Sequence, residues 1–106
     1  MKQLSARVRD QLLRMQQNEI NEYHVYQKIA ATVKQPGDRE TLLRIADAEL
    51  AHAKKWESYT GVWPSPQKGK ILRYSILSRI FGYTFTLKLM ENGENAADSS
   101  YQSIAD

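Results

Sequence analysis

The stretch Glu49-Leu50-Ala51-His52 sets a carboxylate and an imidazole three residues apart. On a helix that spacing places both side chains on one face, where they can share a metal ion. Leu42, Ile45, Glu49, His52, Trp56 and Tyr59 recur around them in steps of three and four, the repeat of a helix face packed against neighbours. Two ionisable groups thus stand on an otherwise apolar seam. Burying an unpaired carboxylate costs on the order of several kcal/mol or forces it to take up a proton, so the placement points to a metal, a partner charge or a catalytic task. The pattern alone does not choose among these, because Glu-x-x-His also recurs on helices whose Glu and His only hydrogen-bond to Tyr or backbone groups.

A second feature adds carboxylates to the set. The segment from Asn18 to Ala30 aligns without gaps on that from Gly93 to Ala105, matching Glu19 with Glu94, Tyr26 with Tyr101, Gln27 with Gln102, Ile29 with Ile104 and Ala30 with Ala105. Leu12, Met15, Glu19, Tyr26, Ala30 and Val33 make one seam that takes in the first Glu, and Tyr83, Leu87, Met90, Glu94, Tyr101 and Ala105 make its counterpart. Three helices each offer an inward ligand. Glu22 lies close to the first seam but faces Ala97 in the repeat, which makes it a weaker ligand candidate. His24 stands beside the face and reads as a surface or interface histidine, while Tyr26 and Tyr101 read as core residues whose hydroxyls seek polar partners. Trp56 and Trp63 read as packing residues at the bundle end.

Three helical segments must position these groups. The first is expected from about Leu4 to Lys34, ending at Gln35-Pro36-Gly37-Asp38, where Pro and Gly stop it and Asp38 can cap the next. The second is expected over Arg39 to Tyr59, closed by Thr60-Gly61-Val62-Trp63-Pro64-Ser65-Pro66, a stiff segment able to carry the chain across a bundle end. The third is expected from Lys70 to Ile104, with Gly82 and Gly93 as kinks, since Gly costs about 1 kcal/mol in a helix interior. The fold class is all-α, and no segment reads as a strand.

Composition narrows the classes of function. The chain of 106 residues suits one small domain with a thin core. The absence of cysteine excludes a disulfide framework, a zinc ribbon and any thiolate-held iron, and fits a reducing compartment. The net charge of +3 is mild and its Lys and Arg are scattered, so nucleic-acid binding has no support. Met1-Lys2-Gln3-Leu4-Ser5 lacks the apolar core of a signal peptide, and a cytoplasmic location is expected. Arg73, Arg79 and Lys88 interrupt the greasiest stretch, Ile71 to Met90, well short of the roughly 20 apolar residues of a membrane span.

The order of Glu19 with Tyr26, then Ala46-x-x-Glu49-x-x-His52, then a long connection and Glu91-x-x-Glu94 before Tyr101 resembles the rubrerythrin branch of the ferritin-like superfamily. It is most similar to the rubrerythrin-like domain found fused to proteins related to vacuolar iron transporters, and the resemblance covers nearly the whole chain. It implies a ferritin-like antiparallel helical bundle with a di-iron site, in which one Glu on each of two helices joins a Glu-x-x-His on each of the other two. Carried over by position, Glu19, Glu49, His52 and Glu94 match ligand positions and Glu91 is an extra carboxylate. A second Glu-x-x-His is expected on a fourth helix after Tyr101, and the sequence stops at Asp106. Either the chain is a fragment or a second chain completes the site in a homodimer or higher oligomer. Three helices also leave Ile76, Ile80, Tyr83 and Leu87 in need of a partner surface. The Cys-x-x-Cys module that supplies electrons in rubrerythrins is lacking.

Carboxylates and imidazole without thiolate suit divalent iron or manganese, and several anionic ligands favour Fe(III) once iron is oxidised. The leading expectation is a non-haem di-iron or Fe/Mn carboxylate protein, a ferroxidase- or peroxidase-type oxidoreductase that uses oxygen or peroxide in iron handling or peroxide defence. The alternative is a cytosolic iron-binding or iron-sensing domain of a membrane iron or manganese transporter, reaching the membrane only through a region outside this chain. The third reading is a metal-free helical interaction module.

Overall fold

A run of 27 residues without Gly or Pro, rich in Arg, Gln, Leu and Glu, makes α1 over Ala6–Thr32. Residues of that kind lose little side-chain freedom in a helix, and the Ser5 hydroxyl caps the start by accepting from the Val8 amide at 3.2 Å. The computed structural model describes residues 5–91. Among these, α2 spans Pro36–Thr60, α3 spans Lys68–Phe81, and a further helical segment, α4, covers residues 83–91. The described residues are all-helical, with no strand.

The boundaries follow local chemistry, with shifts from the sequence reading. Pro36 occupies the first position of α2, where its missing N–H would have no partner. Gln35, rather than Asp38, caps that helix by accepting from the Asp38 amide at 2.6 Å, and Asp38 instead complements the helix dipole in the first turn. Gly61 closes α2 in the left-handed region at φ 75°, its amide donating to the Glu57 carbonyl at 2.8 Å.

The largest difference lies at Gly82. A single third helix with a kink is expected there, whereas φ 90° and ψ 156° at Gly82 end α3 and begin α4 in a new direction. That backbone region is open essentially to Gly alone.

The contacts give the order of the helices. Arg9 on α1 donates to the Thr60 carbonyl at the end of α2, so α1 and α2 are antiparallel. Residues 61–67 run beside α1, with Gln16 and Gln17 donating to the Val62 and Ser65 carbonyls. Asn21 then clasps Gln67 through two hydrogen bonds, at 2.8 Å from its amide to the Gln67 side chain and at 3.0 Å from the Gln67 amide to its carbonyl oxygen. This clasp sets the start of α3 against the middle of α1, and Ser78 and Arg79 near the end of α3 line one cavity with Thr32 and Val33. Consequently α3 runs parallel to α1. Tyr83 at the start of α4 donates to Asp38 at 2.9 Å, and Met90 lines a cavity with Asn21 and Val25, so α4 runs back down. Four helical segments, in up-down-up-down order, therefore stand among the described residues, the expected third helix being divided at Gly82 into α3 and α4.

Val25, Ile29 and Ala30 of α1, Val33 just beyond its end, Leu42 of α2, Ile71 of α3 and Met90 of α4 form the core cluster. Near the linker the interior is more polar: Gln16 is fully buried and accepts from the Thr60 hydroxyl at 2.8 Å. Residues 92–106, which carry Glu94, Tyr101 and the second copy of the repeat, lie outside the described residues.

Candidate metal centre

The hairpin of α1 and α2 brings the sequence-distant donors together. Ala46 and Ala53 of α2 are both fully buried, and side chains so small suit a close helix contact. Of the expected seam, Leu42 is buried and Ile45, Glu49 and Trp56 are half-buried, whereas His52 and Tyr59 are exposed and their neighbours Ala53 and Thr60 are buried instead. Glu49 stands between the two alanines with a side chain 14% exposed, and the His52 side chain, 58% exposed, lies at the rim.

Glu19 reaches this rim from α1. Its carboxylate lies 3.7 Å from His52 Nδ1, and the Glu49 carboxylate lies 4.0 Å from the same atom. Both distances are longer than a hydrogen bond. One donor atom from each of Glu19, Glu49 and His52 falls within 4.8 Å of the others. Donors around a single first-row ion with bonds of about 2.0–2.2 Å stand on the order of 3–4 Å apart, so small side-chain rotations close the triangle on a cation.

The electrostatics favour a cation here. Glu49 Oε2 is buried with no hydrogen-bond partner among the described residues, and within that set the ion-pair partner of Glu49 is His52. A buried carboxylate oxygen in that position keeps its desolvation cost until a positive group arrives. Two carboxylate oxygens and one imidazole nitrogen, with no sulfur, suit a divalent first-row cation. The Nε1 of Trp56, one turn beyond His52, is likewise buried without a hydrogen-bond partner among the described residues. The sequence reading treats Trp56 as packing, and its N–H is a donor that periodicity does not reveal.

The remaining candidates lie elsewhere. Glu22 is buried and lines a cavity of about 110 Å³ with Asn18, Asn21, Lys70, Tyr74 and Met90, on the side of α1 that meets α3. Glu91 is exposed on α4, and neither it nor Glu22 is in the Glu19–Glu49–His52 group. His24 is half-buried and edge-on to Tyr23, with ring centroids 5.1 Å apart. Tyr26 packs against the core cluster, and Trp63 is exposed. Comparison with protein-family models, with curated proteins and with solved structures finds no match to this chain.

Proposed function

We propose that this chain binds a divalent iron or manganese ion through Glu19, Glu49 and His52 and serves iron handling or peroxide or oxygen chemistry as a non-haem carboxylate protein. The observation that supports this reading is the meeting of two carboxylates and an imidazole from two helices, with a Glu49 oxygen buried and unpartnered among the described residues. The chain's part is to hold the donors on packed helices, so that little ordering is left to do when the ion enters. A bound iron would supply the one-electron couple for reaction with oxygen or peroxide. With Fe(II) as substrate, each ion would lose one electron to that oxidant.

The rubrerythrin-like part of the proposal rests on the donor set rather than on helix order. Ferritin-like bundles carry a long crossover connection, whereas here residues 61–67 connect α2 to a third helix parallel to α1. Three donors suit one ion, and a metal pair requires further carboxylates such as Glu94. Anaerobic calorimetric titration with Fe(II), repeated with Mn(II), tests the reading. One ion per chain, lost in His52→Ala and kept in His24→Ala, is expected. No binding, or equal loss in both variants, would overturn it, and two ions per chain would restore the paired site.

Exposure of His52 at the rim favours a second reading in which the site takes up and releases iron for a transporter without turnover. Fe(II) that exchanges with a chelator faster than it is oxidised in air would select that reading over the oxidoreductase.

A further inference from the structure

The face of α3 turned away from the core is apolar. Ile71 is buried and Tyr74, Ser75 and Ser78 are half-buried, while Leu72, Ile76 and Ile80, spaced four apart on the other side, are 53%, 47% and 65% exposed. Phe81 extends this stripe onto α4 through its ring contact with Phe85, with centroids 5.3 Å apart, and Leu89 follows one turn later. All three of these residues are exposed. Exposed apolar residues that form a contiguous patch mark an interaction surface.

Its charges select the partner. Lys68, Arg73, Arg79 and Lys88 border the stripe, all exposed, and α3 contains no Asp or Glu. None of the four makes an ion pair among the described residues. Lys68 sits in the first turn of α3, where a cation opposes the helix dipole, and no side chain caps that end. Helix stability therefore does not account for Lys68, whereas Arg79, in the last turn, complements the dipole. A second copy of this chain would set Arg73 and Arg79 against themselves, with no acid on α3 to pair them.

We infer that the outer face of α3 and α4 docks on an anionic lipid surface, with the aliphatic and Phe side chains entering the headgroup boundary and the cations meeting lipid phosphates. No described helix is long and apolar enough to cross a membrane, so this is contact with the surface. The site of Glu19, Glu49 and His52 takes no part in it.

The test is co-sedimentation of the chain, in EDTA, with vesicles of phosphatidylcholine alone or mixed in equal parts with phosphatidylglycerol. Binding to the mixed vesicles alone is expected, weakened by salt and reduced roughly fivefold for each arginine removed in Arg73→Gln/Arg79→Gln. Loss of binding is expected in Ile76→Ser/Ile80→Ser, with circular dichroism showing that these surface changes keep the fold. Equal binding to both vesicles, absence of binding, or no effect of salt and arginine removal would overturn the inference. A dimer in sedimentation equilibrium that Ile76→Ser/Ile80→Ser dissociates, without vesicle binding, would overturn it in favour of self-association.

Discussion

Replacing Glu49 by Gln should raise the stability of the metal-free protein and lower that of the metal-loaded one. The carboxylate is 14% exposed and one of its oxygens is buried without a hydrogen-bond partner among the described residues. An unsatisfied buried polar group costs about 1–3 kcal/mol. Facing His52 and retaining some exposure, Glu49 belongs near the lower end, at about 1 kcal/mol. Gln keeps the shape and puts a neutral amide, which costs less to desolvate than a carboxylate, in place of the charge. In EDTA, Glu49→Gln should then melt about 4–8 °C above the wild type, the shift per kcal/mol for a domain of this size.

Mn(II) at a hundredfold excess over its Kd stabilises the wild type by about 2.7 kcal/mol. Loss of one anionic ligand in three should weaken binding about 100-fold or more, since even an outer-shell partner is worth about 10–100-fold. The variant then gains about 0.4 kcal/mol. The order of melting therefore reverses, with the wild type ahead by about 1.3 kcal/mol on these figures. Calorimetric melts of both proteins, with EDTA and with Mn(II), read this directly. A Glu49→Gln protein that melts below the wild type in EDTA, or equal metal shifts for both, would refute the reasoning.

Asn21→Ala removes both bonds that set the start of α3, each worth about 1 kcal/mol, so urea unfolding should show a loss of about 2 kcal/mol. Gly82→Ala should cost about 1–3 kcal/mol in the same assay from backbone strain alone, since nothing lies within 4 Å of an added Cβ; an unchanged midpoint would mean that the reversal there is not at φ 90°. The hydrogen bond to Asp38, and then its charge, hold the Tyr83 hydroxyl above the usual phenol range. Because the folded value is raised, this contribution is full below the ordinary phenol pKa of about 10 and fades as pH rises through the higher folded value. Absorbance titration should lose a tyrosine step above the ordinary phenol range in Tyr83→Phe, and an unchanged titration would refute the contact.

The site was legible because a helical hairpin has a simple register. Glu19 stands sixteen residues before Gln35 and His52 seventeen after it, so antiparallel packing about that turn brings them level. The Pro36 and Gly61 boundaries were legible for a local reason too, since each satisfies or avoids backbone groups within its own turn. Gly82 was not. A glycine inside an apolar pattern looks alike whether the helix bends or reverses, and the choice is made by Tyr83 on Asp38, a contact 45 residues apart in sequence. The α2 seam held at Leu42, Ile45, Glu49 and Trp56 but not at His52 and Tyr59, and it missed the small, fully buried Ala46 and Ala53, because periodicity weights bulk. The clasp of Asn21 on Gln67 and the buried Trp56 N–H likewise arise from tertiary packing, which residue spacing does not encode.

Pulsed electron paramagnetic resonance of the Mn(II)-loaded chain tests the central claim most directly, because nitrogen modulation reports a directly bound imidazole. Glu19, Glu49 and His52 as ligands predict modulation from one histidine nitrogen, abolished in His52→Ala and unchanged in His24→Ala. Modulation that survives His52→Ala, or that disappears in His24→Ala, would contradict the account.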